Sequence, residues 1–199
     1  MDGEDLRKNL VILSAPSATG KNTVYNAVKK LRPDVERVIT ATTREPRKNE
    51  KNGVDYYFMI EEVFQQKKRL GEFVESDCYD GEYYATPYSE IYKYSETTIV
   101  FLIINTNGMR SVKEKFPFSK SIFLMPPSIE ELYRRIQLRG DNTPEDAEKR
   151  ISMASAEISE AQQYDYVIVN DDVEVVAKEI VKIIMRGKNE THRQKRQSL

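Results

Sequence analysis

The chain has 199 residues, of which 39% are hydrophobic and 32% charged, and its formal net charge is −1. This composition is typical of a soluble globular protein with a hydrophobic core, and the balanced charge gives no basic field of the kind that nucleic-acid-binding proteins carry. A single cysteine, Cys78, and a single histidine, His192, exclude an internal disulfide and argue against a zinc site or a histidine-based triad. We interpret Cys78 as a half-buried strand residue rather than a nucleophile.

Both ends of the chain are charged. The first eight residues, MDGEDLRK, lack the features of a secretory signal, and no apolar run approaches the ~20 residues that span a bilayer. We therefore expect a cytoplasmic protein without a membrane partner. The basic tail, residues 188–199, contains HRQKR at 192–196 and is expected to be a solvated terminus. RNA binding by this tail is a weaker alternative, so no nucleic-acid partner is predicted.

The first elements along the chain predict a strand, a tight loop and a helix. The apolar run at 9–14 indicates a buried parallel strand, and apolar residues at helical spacing predict a helix over 21–31 that Pro33 ends. The loop between them is close to the phosphate-binding pattern G-x-x-x-x-G-K-[ST], in which backbone N–H groups and a lysine hold the phosphates of ATP. The residues predicted to bind ATP are Ala15, Pro16, Ser17, Ala18, Thr19, Gly20, Lys21, Asn22 and Thr23.

Residues 36–95 differ in character from the rest of the chain. They hold eight of the twelve tyrosines, with strand patterns at 56–59, 72–79 and 82–85 and one helical pattern at 60–70. This segment predicts a small mixed α+β lobe with a hydroxyl-rich face. Within it, Arg44 and Arg47 are flanked by hydroxyls and Pro46, a fork suited to one phosphate group. A run of solvated charges explains the same spacing equally well.

The remaining elements alternate between strands and helices. Strands are predicted at 97–104, 121–125 and 166–169. Helices are predicted at 129–138, in a long segment after residue 148 that ends at about residue 162, and at 173–185. The segment 139–148 is polar and contains Gly140 and Pro144, so no helix is expected there. This order predicts an α/β fold, in which a parallel sheet is covered by helices on both faces. We expect one domain with its core at 8–35, 96–126 and 163–187, a lobe at 36–95 and a lid at about 127–162.

Several stretches of the sequence resemble guanylate kinases across residues 8–187. They are TTREPRKNEKNGVDYYF, FVESDCYDGEYYATP, SIFLMPPS, LYRRIQLRG and YDYVIVNDD, in the order and spacing of that family. The resemblance implies a transferase that moves the γ-phosphate of ATP to GMP or dGMP. On the acceptor side it implies that Glu75 reads guanine, and that the other GMP-binding residues are Thr40, Arg44, Arg47, Glu50, Tyr56, Tyr84, Thr86 and Asn105.

The residues expected to be catalytic are Lys21 of the phosphate-binding loop, Arg44 on the acceptor side, and Arg135, Arg139 and Arg150, which the resemblance implies are the catalytic arginines on the ATP side. The resemblance also implies that Asn170 lies in an adenine-side loop. Mg²⁺ is expected with ATP. No side chain is predicted as its direct ligand, and Thr23 is the one candidate, since Asn22 replaces the usual hydroxyl residue. ATP and GMP are the expected partners, and the protein is expected to be a monomer or a homodimer.

The stretch after the central strand departs from the family pattern L-[DE]-[IV]-[DE]-x-Q-G. Here Ile103 and Asn105 stand where carboxylates are usual. Loss of the first carboxylate predicts weaker metal organisation, and the amide at 105 predicts altered base selection, because it both donates and accepts. Two alternatives to a guanylate kinase therefore stay open. One is an impaired module that binds a phosphorylated protein through Arg44 and Arg47, and the other is a kinase with a shifted acceptor.

Overall fold

The computed structural model describes residues 8–138 and 144–186. Among them it contains the following helices and strands in chain order: β1 Leu10–Ser14, α1 Lys21–Leu31, β2 Glu36–Arg37, β3 Ala41–Thr42, β4 Tyr57–Phe58, α2 Glu61–Arg69, β5 Phe73–Tyr79, β6 Glu82–Pro87, α3 Tyr88–Tyr92, β7 Val100–Ile103, α4 Thr106–Lys115, β8 Lys120–Met125, α5 Ile129–Leu138, α6 Pro144–Ser159, the 3-10 turn Ala161–Gln163, β9 Tyr166–Val169 and α7 Val173–Met185.

The larger sheet has five strands in the order β2-β7-β1-β8-β9. The β2–β7 and β8–β9 pairs are parallel. Every residue of β1 is buried, as expected for a central strand covered by helices on both faces. The predicted α/β fold with a parallel sheet is confirmed. Among the described residues, no helix combines the length and apolar character needed to cross a membrane.

The smaller sheet has four strands in the order β4-β3-β6-β5. It is mixed, because β3 pairs parallel with β4 and antiparallel with β6, which in turn pairs antiparallel with β5. Helix α2 covers this sheet with Phe64, whose ring lies 5.0 Å from that of Phe73. Buried Ala41 and Ala85 complete the cluster. The mixed α+β character predicted for this segment is therefore present.

By its contacts, the described chain divides into two compact units. The first, residues 8–12 and 36–120, contains the small sheet, β7 and α4. The second, residues 13–35 and 121–186, contains the phosphate-binding loop, α5, α6 and α7. The basic tail predicted at 188–199 and the polar residues 139–143 lie outside the described residues.

Some elements differ from the prediction. No helix was predicted over 139–148, but helix α6 begins at Pro144, so this prediction is wrong from residue 144 on. Proline suits the first helical position, because an N–H there would have no partner within the helix. The strand predicted at 97–104 is shorter, Val100–Ile103. Helices α3 and α4 were not predicted. Cys78 lies in a strand as expected but is exposed rather than half-buried.

Candidate active site

The phosphate-binding loop connects β1 to α1 through a left-handed turn. Gly20, the residue before the helix, has φ 102°, and Ala18 has φ 66°. Thr19 N–H donates to the carbonyl of Pro16 at 3.2 Å, which tightens the turn. A Cβ at residue 20 would come within 3.2 Å of Asn170 Nδ2. The loop therefore requires glycine at residue 20 but accepts an alanine at residue 18 in a conformation that alanine rarely adopts.

Replacing Ala18 by glycine is expected to stabilise the protein by about 0.5–1 kcal/mol. The left-handed conformation costs a residue with a Cβ about 1–2 kcal/mol, and part of this gain is offset by the greater freedom of glycine in the unfolded chain. Urea unfolding of the parent and the variant measures the difference. Ser17→Gly, at a neighbour without positive φ, is the control and should be destabilising. If Ala18→Gly is less stable than the parent, the left-handed conformation of Ala18 does not destabilise the protein.

Lys21 begins α1 and is half-buried. Its ammonium donates to the carbonyl of Ala15 at 2.5 Å and to that of Pro16 at 3.4 Å. Glu157 of α6 lies near enough for the charge of Lys21 to act on it: burial raises the pKa of Glu157 to about 7, and the lysine opposes this rise. Glu157 Oε2 is buried and has no hydrogen-bond partner among the described residues. No sequence pattern pointed to this carboxyl.

Two side chains hold the loop from outside. Asn170 Nδ2 donates to the carbonyl of Thr19 at 2.6 Å, and Arg135 donates from Nη1 to the same oxygen at 3.4 Å. Arg135 is itself held by Glu131, which accepts from its Nε at 2.8 Å. Asn170 is buried, with 2% of its surface exposed. Asn170 and Arg135, two of the residues predicted on the ATP side, thus contact the phosphate-binding loop itself.

The residues present fit a Mg²⁺ ion held mainly by phosphates and water. Asn22 and Thr23 are exposed in the first turn of α1, where an amide oxygen or a hydroxyl could accept a single coordination position. Within the described part of the chain, no group of three or more His, Cys, Asp or Glu side chains could hold a metal. Because Mg²⁺ usually keeps several waters and binds through substrate phosphates, this donor set suits it.

In the other unit, Arg44 and Arg47 are organised around Glu50. Nη2 of Arg44 donates to both carboxylate oxygens of Glu50, at 2.9 and 2.8 Å, and the backbone N–H of Arg47 donates to Oε2 at 2.8 Å. Burial raises the pKa of Glu50, but these bonds outweigh it and hold the pKa below its usual range. The guanidinium of Arg47 remains exposed. The carboxylate therefore fixes Arg44 and leaves Arg47 accessible for an anion.

Two tyrosines flank this arginine. The guanidinium of Arg44 lies over the ring of Tyr56, 5.5 Å from its centroid, and the ring of Tyr84 meets that of Tyr56 edge-on at 6.1 Å. Burial raises the pKa of Tyr56, so its hydroxyl stays protonated and able to donate. The structure thus brings together four of the residues predicted to bind the GMP phosphate, with Glu50 as the anchor of the two arginines. A cation with neighbouring hydroxyl donors is suited to a phosphate dianion.

Glu75 and Thr86 face each other across β5 and β6. They are register partners in this antiparallel pair, and the hydroxyl of Thr86 donates to Oε1 of Glu75. The carboxyl is 8% exposed, and burial raises its pKa to about 7, against the hydrogen bond from Thr86. A buried carboxyl that keeps Oε2 for another donor can read a ligand with two adjacent N–H groups.

Gly108 in α4 makes room for this carboxylate, a role that the sequence analysis missed. A Cβ at this position would lie 3.0 Å from Glu75 Oε2 and 3.3 Å from Asn105 Oδ1. Contacts this short force a neighbour to move. No signal in the sequence pointed to this role, since an early glycine argues against a helix and the helix itself was not predicted.

Replacing Gly108 by alanine is expected to raise KM for GMP about three- to tenfold, because Glu75 must shift by a few tenths of an ångström. Stability should hold or rise, since alanine favours a helix by up to about 1 kcal/mol over glycine. Steady-state kinetics and urea unfolding measure the two effects. Ser111→Ala, one turn later in α4, is the control. An unchanged KM would contradict the close approach.

Asn105 precedes α4 and caps it. Its Oδ1 accepts from the N–H of Gly108 at 2.8 Å, and its Nδ2 donates to Asp77 Oδ2 at 2.6 Å. Capping of this kind contributes about 1 kcal/mol to a helix. The amide therefore has a structural role that the sequence analysis did not assign to it. Ile103, the other departure from the family pattern, is half-buried at the end of β7.

Among the described residues, Thr40 and Arg150 have no hydrogen bond to these groups. Thr40 is buried, and its carbonyl accepts from Tyr57 N–H at 2.9 Å, but no hydrogen bond in the described ranges links its side chain to Glu75. Arg150 is half-buried on α6. Arg139 lies outside the described residues. Two side chains cap helices of the second unit: the hydroxyl of Ser128 accepts from Glu131 N–H, and Asp172 accepts from the first turn of α7.

Comparison with known proteins identifies the family. The family model "Guanylate kinase" matches residues 7–187. A guanylate kinase from Prochlorococcus marinus subsp. pastoris is 43% identical over 178 residues, which is 89% of this chain and 97% of that protein. One from Clostridium perfringens (strain 13 / Type A) is 40% identical over 93% of this chain and 86% of its own length. The crystal structure of guanylate kinase from Anaplasma phagocytophilum superposes with a TM-score of 0.73 at 34% identity, covering 92% of this chain and 86% of that one. The chain belongs to the guanylate kinase family.

Proposed function

We propose that this protein transfers the γ-phosphate of ATP to GMP or dGMP, which yields ADP and GDP or dGDP. The observation that carries the proposal is the buried Glu75–Thr86 pair. The N1–H and 2-amino groups of guanine are adjacent donors that one carboxylate can accept together, whereas adenine has an acceptor at N1 and no 2-amino group. Because a buried carboxylate left without its donors is strongly unfavourable, this pair can discriminate between the two purines.

The acceptor phosphate is assigned to Arg44, Arg47, Tyr56 and Tyr84. Glu50 fixes the direction of Arg44, and the exposed Arg47 supplies a second positive charge. We propose that Thr40 contributes to the same nucleotide site. The phosphate of GMP is already an anion near neutral pH, so no side chain has to remove a proton before transfer. This is consistent with a chain whose one histidine, His192, lies in the terminal tail.

ATP is assigned to the phosphate loop, residues 15–23. Its backbone N–H groups and the N-terminus of α1 favour phosphate oxygens, and Lys21 would exchange its bond to the Ala15 carbonyl for the β- and γ-phosphates. When bound, Mg²⁺ supplies positive charge that offsets the charge of the phosphates, with Asn22 or Thr23 near it. Arg135, Arg139 and Arg150 are proposed as the cations that stabilise the transferring group. Asn170 positions the loop through Thr19.

We further propose a lobe at 36–95 for GMP and a lid at about 127–162, within a cytoplasmic protein that is a monomer or a homodimer. The alternative function, a module that only binds a phosphorylated protein, leaves the phosphate loop and the lysine in it without a purpose. Light scattering of the purified protein measures the oligomeric state.

The test is the release of ADP from ATP and Mg²⁺, with GMP, dGMP, AMP, UMP or CMP as acceptor. Turnover with GMP and dGMP that is lost in Lys21→Ala is expected. Lys29→Ala, a lysine of the same helix whose ammonium bonds the carbonyl of Val35, is the matched control and should retain activity. Retained binding of GMP without turnover on any acceptor would contradict the kinase and favour the binding module.

A further inference from the structure

A second carboxylate stands on the face of β5 that carries Glu75. Asp77 is two residues further along the strand, so both side chains lie on the same side of the sheet. The charge of Asp77 acts on Glu75 and raises its pKa, in addition to the larger effect of burial. Asp77 was not among the residues that the sequence pointed to, and the assignments above give it no role.

Two amides hold Asp77 in one orientation. Nδ2 of Asn105 donates to its Oδ2 at 2.6 Å, and Nδ2 of Asn107 donates to the same oxygen at 3.2 Å. Within residues 8–138 and 144–186, no hydrogen bond reaches Oδ1. The carboxylate is half-buried. Its position is thus fixed by two donors, while one oxygen keeps its capacity to accept.

The same asparagine connects Asp77 to the guanine-reading carboxylate. Asn105 Oδ1 and Glu75 Oε2 both lie close to the position that a Cβ of Gly108 would occupy, at 3.3 and 3.0 Å. The amide that holds Asp77 therefore also lies near the Oε2 end of Glu75. Asn105 occupies a position where a carboxylate is usual in the family pattern, and here the carboxylate is on its hydrogen-bond partner instead.

Guanine presents three N–H donors on this edge, one at N1 and two on the 2-amino group. Glu75 has two oxygens, and one of them also accepts from Thr86. A third donor left without an acceptor in a buried site weakens binding. We propose that Asp77 accepts the second N–H of the 2-amino group of the acceptor base, and so contributes to the selection of guanine over a base without that group. This inference rests on the proposed function of the site.

The test compares GMP with IMP, which lacks the 2-amino group, and with dGMP, which lacks the 2′-hydroxyl. In Asp77→Asn, kcat/KM for GMP and dGMP should fall about 10- to 100-fold, the size of a hydrogen bond to a charged group. That for IMP should change less than about threefold, so the preference for GMP over IMP collapses. Glu72→Gln, an exposed carboxyl just before the same strand, is the control and should leave all three unchanged.

The exchange Asp77→Asn with Asn105→Asp returns the carboxylate to position 105 and keeps the hydrogen bond with its direction reversed. This double variant should recover most of the preference for GMP, and Asn105→Asp alone should not, because it places two carboxylates in contact. Equal losses with GMP, IMP and dGMP would mean that Asp77 only supports the strand and α4, which overturns the proposal. Equal losses with GMP and IMP but none with dGMP would assign it to the ribose hydroxyl. A parent protein inactive with every acceptor would instead refute the proposed function.

Discussion

Glu75→Gln is expected to lower kcat/KM for GMP by about 100- to 1000-fold while KM for ATP stays within about twofold. The carboxylate can accept two adjacent N–H donors of guanine, whereas a glutamine amide accepts with its oxygen and presents N–H groups with its nitrogen. One donor of the base then meets another donor in a buried site. Loss of one charged hydrogen bond and the conflict at the second together amount to about 3–4 kcal/mol.

The affinity of the parent protein for GMP should also depend on pH. Glu75 must be ionised to accept both donors, and burial places its pKa at about 7 in the free protein. Below this value, GMP binding has to displace a proton, so the dissociation constant should rise by up to tenfold per pH unit. The phosphate of GMP titrates in the same region, near pH 6. In Glu75→Gln the contribution of residue 75 is absent and only the phosphate dependence should remain.

Calorimetric titration of GMP at pH 6, 7 and 8 with both proteins separates the two contributions. Glu62→Gln replaces an exposed carboxyl on α2 and should match the parent throughout. The stability of Glu75→Gln is measured separately. At pH 8 the buried carboxyl of the parent is ionised, which is unfavourable, so the variant should be at least as stable as the parent. A Glu75→Gln protein that binds GMP with parental affinity would show that guanine is read elsewhere.

The phosphate loop was predictable because its determinants are local. A buried strand, a run of small residues and a helix that begins at Lys21 are consecutive in the sequence, and the structure has this order. The strain at Ala18 was not predictable, since the sign of φ depends on how the loop closes. The contacts of Thr19 with Asn170 and Arg135 were also hidden, because they join residues separated by 151 and 116 positions.

The acceptor site was predictable by resemblance more than by pattern. Glu75 and Thr86 face each other only because the β5–β6 hairpin has its particular register, with an irregularity between Phe73 and Glu75. The capping role of Asn105 could have been read from its place before Thr106–Lys115, but that helix itself was missed. Its sequence, TNGMRSVKEK, contains an early glycine and few apolar residues, so propensity argued against it. The contact of Asn105 with Asp77 depends on tertiary packing.

Both compact units contain a buried carboxyl whose pKa is raised to about 7, Glu75 in one and Glu157 in the other. Carboxyls of this kind reduce stability once they ionise, and they are typical of functional sites. For Glu75 the proposed role in reading guanine would account for this loss of stability. Glu157 belongs to the unit of the phosphate loop, and Lys21 is the positive charge that acts on it.

Glu157→Gln is therefore expected to change how stability depends on pH. The pKa of Glu157 is about 7 in the folded state and near 4.5 in the unfolded chain. Between these values the unfolded state has released the proton and the folded state still holds it, so the free energy of unfolding falls as pH rises. The total loss is about 3 kcal/mol, complete above pH 7 and absent below pH 4.5. Glutamine does not titrate, so the variant lacks this loss.

Urea unfolding at pH 5, 6, 7 and 8 measures this difference, since urea leaves charge interactions unscreened. The stability of the variant relative to the parent should rise by about 2–3 kcal/mol from pH 5 to pH 8. All other titrating groups, Glu75 included, are common to both proteins and cancel in that comparison. Glu148→Gln, exposed on the same helix, should run parallel to the parent at every pH. If the pH dependence of the unfolding free energy of Glu157→Gln also runs parallel to that of the parent, Glu157 is ionised in the folded protein and interacts with Lys21. The positive charge of Lys21 is then already partly neutralised before ATP binds. A rising difference means instead that Glu157 is largely protonated at pH 6, which leaves the full charge of Lys21 for the phosphates.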